Sequence, residues 1–503
     1  MSSIEASSVD DAAAAAAALA EPLERHGIDK LLESIGDCQF VLLGEATHGS
    51  AEFYQRRAEI TRWLIEEKGF SIIMVEGDWP CAHRVARYIS CEPDSSTDRS
   101  AAEALSSFDH FPGWMWNNEP TAELVSWLKQ HNDGVRSERA DESAARAAYD
   151  EMLAAGAMPE QMRAAGIDVE CHDRPTGASD RPVVAFYGMD VYSVHASAKA
   201  VLAFLDLVDP DAAERARGHY AVLEAYGDDI KTYAREAVLG DLAPMTDDIQ
   251  AGFLAVLAEL QRNNRESYPL MVGAAEMLDA EQNAQVVVNG DAYFRGLYTD
   301  GSVATWNLRD QHMVQTCLRL VEFHTATGGG APPPRVVMWA HNSHVGDARA
   351  TEMGVRDEWN LGQMMRTTFG TNHVFICGFG TYTGTVTAAT EWGEPPQTFD
   401  LSPAEPSSHS HVFHEALPAL RQRLAQPRLD AFLLVLRTTD DPTVDGERQP
   451  KIAASFGGAR RQRAVGVRYC KDTESRSHYY EASLTAQVDA WIHIDETSAL
   501  VPL

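Results

Sequence analysis

The sequence predicts an α/β fold: a central, mainly parallel sheet flanked by helices, with helical excursions built onto it. Two observations predict it. Short, continuous apolar runs recur along the chain, as strands buried on both faces do. Long stretches of helical periodicity separate them. The first two runs and the stretch between them make a strand–helix–strand unit, the building block of a parallel sheet.

Residues 1–34 read as a helical arm, in which the Ala-rich run from Ala12 to Ala20 is a surface or frayed helix. Residues 35–503 read as a single α/β domain. Its first strand is Gln39–Leu43. Ser50–Lys68 follows as a helix, with Phe53, Ile60 and Leu64 at helical spacing, and Ser71–Val75 is the second strand. Residues 120–165 are strand-poor and helical, the first excursion. Val183–Tyr187 returns to the sheet, and residues 193–289 form the second helical excursion. Thr327–Pro334 is a loop, because Gly and Pro break both periods. Arg335–Ala340, His373–Cys377 and Ala431–Leu436 complete the strands, and Glu394–Ser410 is expected as a loop.

The 503 residues are 45% apolar and 23% charged, enough apolar surface to exclude disorder across the chain. Lys+Arg number 42 against 74 Asp+Glu, a net charge of −32. Such a chain repels phosphate backbones and anionic bilayers, so neither nucleic acid nor membrane is an expected partner. Seven cysteines (Cys38, Cys81, Cys91, Cys171, Cys317, Cys377, Cys470) are scattered without a CxxC pair. That argues against a disulfide framework or zinc knot and for a reducing cytoplasm. No basic, apolar leader and no membrane-length apolar stretch is present.

The chemistry sits where the strands end. VLLG runs into Glu45-Ala46-Thr47-His48-Gly49, IIMV into Glu76-Gly77-Asp78-Trp79, VAFYG into Met189-Asp190, and VVMWA into His341-Asn342-Ser343-His344. Parallel sheets carry their functional crevice beyond the carboxyl ends of the strands. Glu45, His48, Glu76, Asp190, His341 and His344 are therefore expected in one acid–base site. Taken singly, each has a plainer explanation, such as Thr47 capping a helix with Glu45 solvated, Glu76 balancing an internal Arg, or Asp190 capping the next helix. Position after a strand favours His341/His344 over His411/His414, which with His409 is expected in a solvated loop. Trp114 and Trp116, in FPGWMWNN, are either core residues or grips for a bulky apolar substrate. With no GxSxG elbow, no Walker-type loop and no GxGxxG after a strand, the site reads as one built to activate water.

At these residues the chain resembles the erythromycin esterase family. The resemblance runs from about Ile35 to Leu503 and is carried by LGEATHGSAEFYQRR, VEGDWP, FPGWMWNNEP, WNLRDQHM, WAHNSHVGDARATEMG, GFGTYTGTV, SHYYEASL and the C-terminal DAWIHIDETSALVPL. It implies an α/β domain whose helical excursions form one side of a deep cleft, and hydrolysis of a carboxylic ester such as the macrolactone of a macrolide antibiotic. The family's catalytic His falls on His48, its partner carboxylates on Glu45 and Glu76, and further catalytic groups on Arg57, His341 and His344. Arg309 matches a cleft arginine. The Arg residues or a protonated His are expected to bind the carbonyl oxygen as it becomes an oxyanion. Arg309, Trp114, Trp116 and Asp190 are the expected substrate contacts.

No cofactor is expected on this reading. A rival reading gives the same His/Glu cluster a divalent metal such as Zn²⁺ or Mn²⁺. A third is a non-catalytic binder of a bulky hydrophobic ligand, gripped by Trp114 and Trp116. In each case the partner is a small molecule.

Overall fold

In a computed structural model, the structure describes residues 6–90, 96–155, 158, 160–161, 181–437 and 448–503. Its strands are β1 (Glu21–Pro22), β2 (Phe40–Leu43), β3 (Ile72–Asp78), β4 (Ala185–Asp190), β5 (Val336–Trp339), β6 (Val374–Ala388), β7 (Gln397–Leu401), β8 (Ala431–Val435), β9 (Arg460–Arg463), β10 (Tyr479–Ala482) and β11 (Ala490–Thr497). Nine lie in one sheet of order β1-β8-β11-β6-β2-β5-β3-β4, with β7 paired to β6, and β9 and β10 pair apart from it. The run from β4 through β3, β5, β2 and β6 to β11 is parallel throughout. The expected α/β class and each of the six expected strands are present.

Apolar runs such as FVLL and VVMW are buried at every position, so these strands have helices on both faces. Alternation divides their side chains between two cores. Val41, Leu43, Ile73, Val75 and Trp339 pack with Phe53, Tyr54 and Leu64 of the helix Ala51–Lys68. Phe40, Leu42, Met74 and Met338 pack with Met313 and Cys317 of the helix Gly301–Thr327. A third core, around Val201, Leu205, Tyr220 and Leu257, belongs to the helical excursion itself. That excursion starts at Val194 and continues past the expected Asn289, ending only with Gly301–Thr327. The earlier excursion is the helix Glu119–Ala154, begun by Pro120 and capped by the Asn118 side chain, which accepts from Thr121 N–H. Of its expected extent, 156–157, 159 and 162–165 lie outside the described residues, as do Cys91 and Cys171.

Three expectations change. The N-terminal segment does not stand off as an arm. Ala12 and Ala16 of the helix Val9–Leu19 are completely buried against the helix His409–Leu424, and Arg423 Nε donates to Ala17 O at 2.8 Å. Ala lends a helix too little hydrophobicity to mark a face, but its small size allows this close approach. His409, His411 and His414 lie on that helix, whose first turn is capped by Ser408, instead of in a loop. His409 is fully buried and donates to Ala482 O, while His414 Nδ1 donates to Asp495 at 2.8 Å. The stretch expected as a loop at Glu394–Ser410 contains β7. No helix among the described residues is long and apolar enough to cross a membrane, and the five described cysteines are free thiols.

The loop after β2 is held by backbone. Gly49 O accepts from Thr387 N at 3.0 Å and from Leu500 N at 2.8 Å, and a Cβ at Gly49 would stand 1.8 Å from Thr387 O. A backbone clash of that kind cannot be relieved by a rotamer change. Gly49→Ala is therefore expected to destabilise the fold by about 1–3 kcal/mol, the cost of overpacking. Urea unfolding checks this, and an unshifted midpoint would mean that the loop has room.

Candidate active site

Leu43, Trp339, Val75 and Gly188 are register partners across β2, β5, β3 and β4, so these four strands end in one row. Glu45 and His48, His341 and His344, Glu76, and Asp190 follow directly from that row. The convergence expected from strand ends is what the register produces.

The first half of the site is built around His48. Its backbone N–H donates to Val465 O at 3.1 Å, and its carbonyl accepts from Tyr54 Oη at 2.8 Å. Its Nδ1 lies 2.8 Å from Glu45 Oε1. A carboxylate only accepts, so Nδ1 carries the proton and the neutral ring leaves Nε2 bare. Glu45 Oε2 in turn accepts from Arg57 Nη2 at 2.6 Å. Arg57 is fully buried, its guanidinium 4.5 Å from the Tyr54 ring and 4.7 Å from the Trp339 ring. The expectation that Arg57 meets a substrate oxygen is thus corrected. It stands behind Glu45 and fixes the carboxylate that fixes His48.

The second half is a buried charge network. Glu76 Oε1 accepts from Arg309 Nη2 at 2.7 Å and lies 4.0 Å from His48 Nε2, while Glu76 Oε2 accepts from His341 N–H at 2.8 Å. Burial by itself would raise the Glu76 carboxyl, but the charges of His344 and Arg309, joined by His48 when that ring is protonated, prevail and hold it well below the usual range. Arg309 also donates bidentately to Asp190, at 2.9 and 2.7 Å. Asp190 and Arg309 line the cavity, yet they were expected as substrate contacts and are instead engaged with each other. Val191 N–H also donates to Asp190 Oδ1 at 2.7 Å.

The HNSH pair divides. His341 Nδ1 accepts from Ser343 Oγ at 2.8 Å and from Ser343 N at 3.2 Å, so Nε2–H donates to Ala46 O at 3.2 Å. Both nitrogens are engaged, and burial with His48 beside it lowers its pKa to about 3, leaving a neutral ring 5.1 Å from that of His48. His344 is stacked on Trp306 at 4.4 Å and donates from Nδ1 to Asp310 at 2.8 Å. Burial opposes its charge, but Asp310 and Glu76 overcome this and raise it to about 9. Its Nε2 lies 3.3 Å from Glu76 Oε1 and 2.8 Å from Arg309 Nη1. In the charged ring Nε2–H belongs to Glu76. The arginine can donate to it only when the ring is neutral.

A raised histidine stabilises the folded chain fully below its unfolded value of 6.5, and that stabilisation is lost as pH rises through about 9. The stability difference between wild type and His344→Gln is therefore expected to be largest at pH 6 and to shrink towards pH 10. Thermal melts across that range measure it, and a pH-independent difference would mean a neutral His344.

These groups open on a cavity of about 1020 Å³, counting the space at its mouth. His48, Glu76, Asp78, Asp190, Arg309, His341 and His344 line it together with Phe111, Trp116, Tyr192, Trp306 and Trp392. Of the two expected tryptophans only Trp116 lines it, its Nε1 donating to Glu76 O at 2.9 Å. Trp114 is turned into the core beside the helix Ala51–Lys68 and is corrected as a substrate contact. No three of the described His, Cys, Asp and Glu side chains are grouped so as to hold a metal ion. The last residues tie the walls together. Ala51 N–H donates to Ser498 O at 2.9 Å, Ser498 N–H to Glu52 at 2.8 Å and Leu503 N–H to Asn117 O at 3.0 Å.

Sequence reasoning missed Asp310 and Trp306. A signal for both was present, since residues 306, 309 and 310 share one face of a helix and Arg309 had been singled out. Trp392 and the wall at residues 464–467 come from irregular connections with no periodic signal.

The chain matches the family profile described as Erythromycin esterase over residues 65–497. Among solved structures it resembles a protein from Bacillus cereus at 17% identity and TM-score 0.67, covering 99% of this chain and 100% of that one. A succinoglycan biosynthesis protein matches at 17% identity and TM-score 0.66, over 98% of each chain. An erythromycin esterase mutant in its open conformation matches at 13% identity and TM-score 0.58, over 94% of this chain and 95% of that one. At these identities the likeness is one of fold.

Proposed function

The chain belongs to the erythromycin esterase family, and from that premise we propose that it is a carboxylic ester hydrolase in which His48 activates water against a macrolactone or a similarly bulky ester. One observation carries the mechanism: His48 presents a bare Nε2 in the cavity while Glu45, backed by Arg57, holds the proton on Nδ1. That is the geometry of an oriented general base. Water hydrogen-bonded to Nε2 gives up a proton as its oxygen attacks the ester carbonyl. Glu76, ionised 4.0 Å from Nε2, stabilises the imidazolium that forms. Glu76 is itself kept from drifting by Arg309 and the His341 amide. His344, charged beside it, supplies positive potential towards the oxyanion.

The aromatic walls suit a large apolar substrate. On the same reading the chain works without a required cofactor, within residues 35–503, and in a reducing compartment that keeps its thiols free. The test is a screen of macrolides, simple lactones and open-chain esters with purified protein, read by mass spectrometry. Gain of one water by a lactone, or release of an alcohol from an ester, is the expected result. Recovery of every compound intact would overturn the proposal.

A further inference from the structure

Five carboxylates stand in or directly behind the cavity, and four of them have partners. Glu45 is bound by His48 and Arg57, Glu76 by Arg309 and the His341 amide, Asp190 by Arg309 and the Val191 amide, and Asp310 by His344 and the Leu361 amide. The Asp78 carboxyl takes neither a hydrogen bond nor an ion pair from any described residue, although Asp78 lines the cavity.

The backbone around Asp78 is unusual as well. The register of β3 against β4 shifts between Val75 and Asp78, and this bulge sets Asp78 opposite Asp190. Bulges re-aim side chains next to functional sites. This one is permitted by glycine. A Cβ at Gly188 would lie 2.5 Å from the carbonyl oxygens of both Gly77 and Asp78, and one at Gly77 would lie 2.6 Å from Trp116 Nε1. The result is a carboxyl two residues beyond Glu76 on the same strand, roughly 6–7 Å along it at strand rise.

Resting on the esterase reading above, we propose that Asp78 is the acid that protonates the departing alcohol. His48 takes a proton from water as the water oxygen bonds to the carbonyl carbon. The tetrahedral intermediate then collapses, the bond from that carbon to the alkoxy oxygen breaks, and its electron pair takes the proton from Asp78. The product acid ionises into solvent. His48 then loses its proton and Asp78 regains one, so the sum is ester plus water to acid plus alcohol. With His48 alone, the leaving oxygen of a bulky substrate would have to come within reach of the same nitrogen that activated the water. A second acid further along the wall removes that constraint.

Two adjacent carboxyls cannot both ionise without cost, and of this pair it is Asp190 that holds the Arg309 guanidinium. Burial, reinforced by Asp190, pushes Asp78 up to about 7, with His110 and Arg309 opposing and Asp109 adding to the rise. Glu76 on its own strand and Cys81 on the following helix are the other ionisable groups nearby.

The experiment compares Asp78→Asn with wild type on the p-nitrophenyl and ethyl esters of one acid. An aryl alkoxide leaves without protonation and an alkyl alkoxide does not. In Asp78→Asn the ratio of p-nitrophenyl to ethyl ester kcat/KM is expected to rise by about 10²–10⁴, the range of general acid assistance. In the wild type the ethyl ester rate alone should fall as pH rises through about 7. Asp78→Glu, which keeps an acid, should recover part of the ethyl ester rate. Equal losses on both esters, or none on either, would overturn the role of Asp78 while leaving the esterase reading intact. If the wild type cleaves neither ester nor any lactone, the esterase reading fails and the role of Asp78 falls with it.

Discussion

His48→Asn is expected to lower kcat by about 10²–10⁴ while leaving the fold intact. The first half of this follows from the bare Nε2, since an amide in its place has no lone pair basic enough to accept a proton from water. The second half follows from how the residue is held. Its backbone is fixed through Val465 O and Tyr54 Oη, neither of which depends on the imidazole, and Asn can still offer a donor to Glu45. KM should move less than kcat, because the proton shifts mainly in the transition state. The measurement is steady-state kinetics on a substrate found by the screen, with a thermal melt for the fold. Turnover within a few-fold of wild type would show that His48 is not the base. A melt shifted by many degrees would show instead that the ring is structural.

Arg309→Met is expected to destabilise the fold by about 3–5 kcal/mol, the range for breaking a buried ion pair from one side. Arg309 is 8% exposed and neutralises both Glu76 and Asp190, each less exposed than itself. Met keeps the length and packing of the stem, so the loss reports the charge. Without the guanidinium the two carboxylates would hold protons more tightly when folded, so the variant should gain stability relative to wild type as pH is lowered. Adding Asp190→Asn should restore part of the loss at neutral pH, since it removes one of the stranded charges. Urea midpoints at constant m measure wild type and both variants. A loss under about 1 kcal/mol for Arg309→Met would mean that solvent reaches the network.

Much of this site was readable because parallel sheets put chemistry at strand ends. Glu45, His48, Glu76, Asp190, His341 and His344 each follow an apolar run and each reach the same row. What position could not convey was direction. Arg57 lies on the helix after the His48 loop, and nothing in its spacing says that it points behind Glu45 instead of into the cavity. Trp114 and Trp116 stand in one loop and share one core, yet only Trp116 also lines the cavity. His341 and His344 look equivalent as HNSH, yet one has both nitrogens tied to Ser343 and Ala46 and the other sits between Asp310 and Glu76. Strand β11 was overlooked because AWIHIDET mixes ionisable residues into a buried run, whose apolar positions are read only with the parallel partner β6 beside it. The helix at His409–Leu424 was hidden by Pro418 and by its polar first turn.

The ties between Ser498–Leu503 and the walls at Gly49–Glu52 and Asn117 join segments far apart in sequence, which bears on the order of events in folding. Residues that help hold the His48 loop lie far from it along the chain, at a separation of 446 residues for the Ser498–Glu52 bond. Strands close together in sequence can pair before bonds of that separation form. Contacts of such long range are slow to close. On dilution from denaturant, closure of the site around His48 should therefore trail the appearance of folded secondary structure.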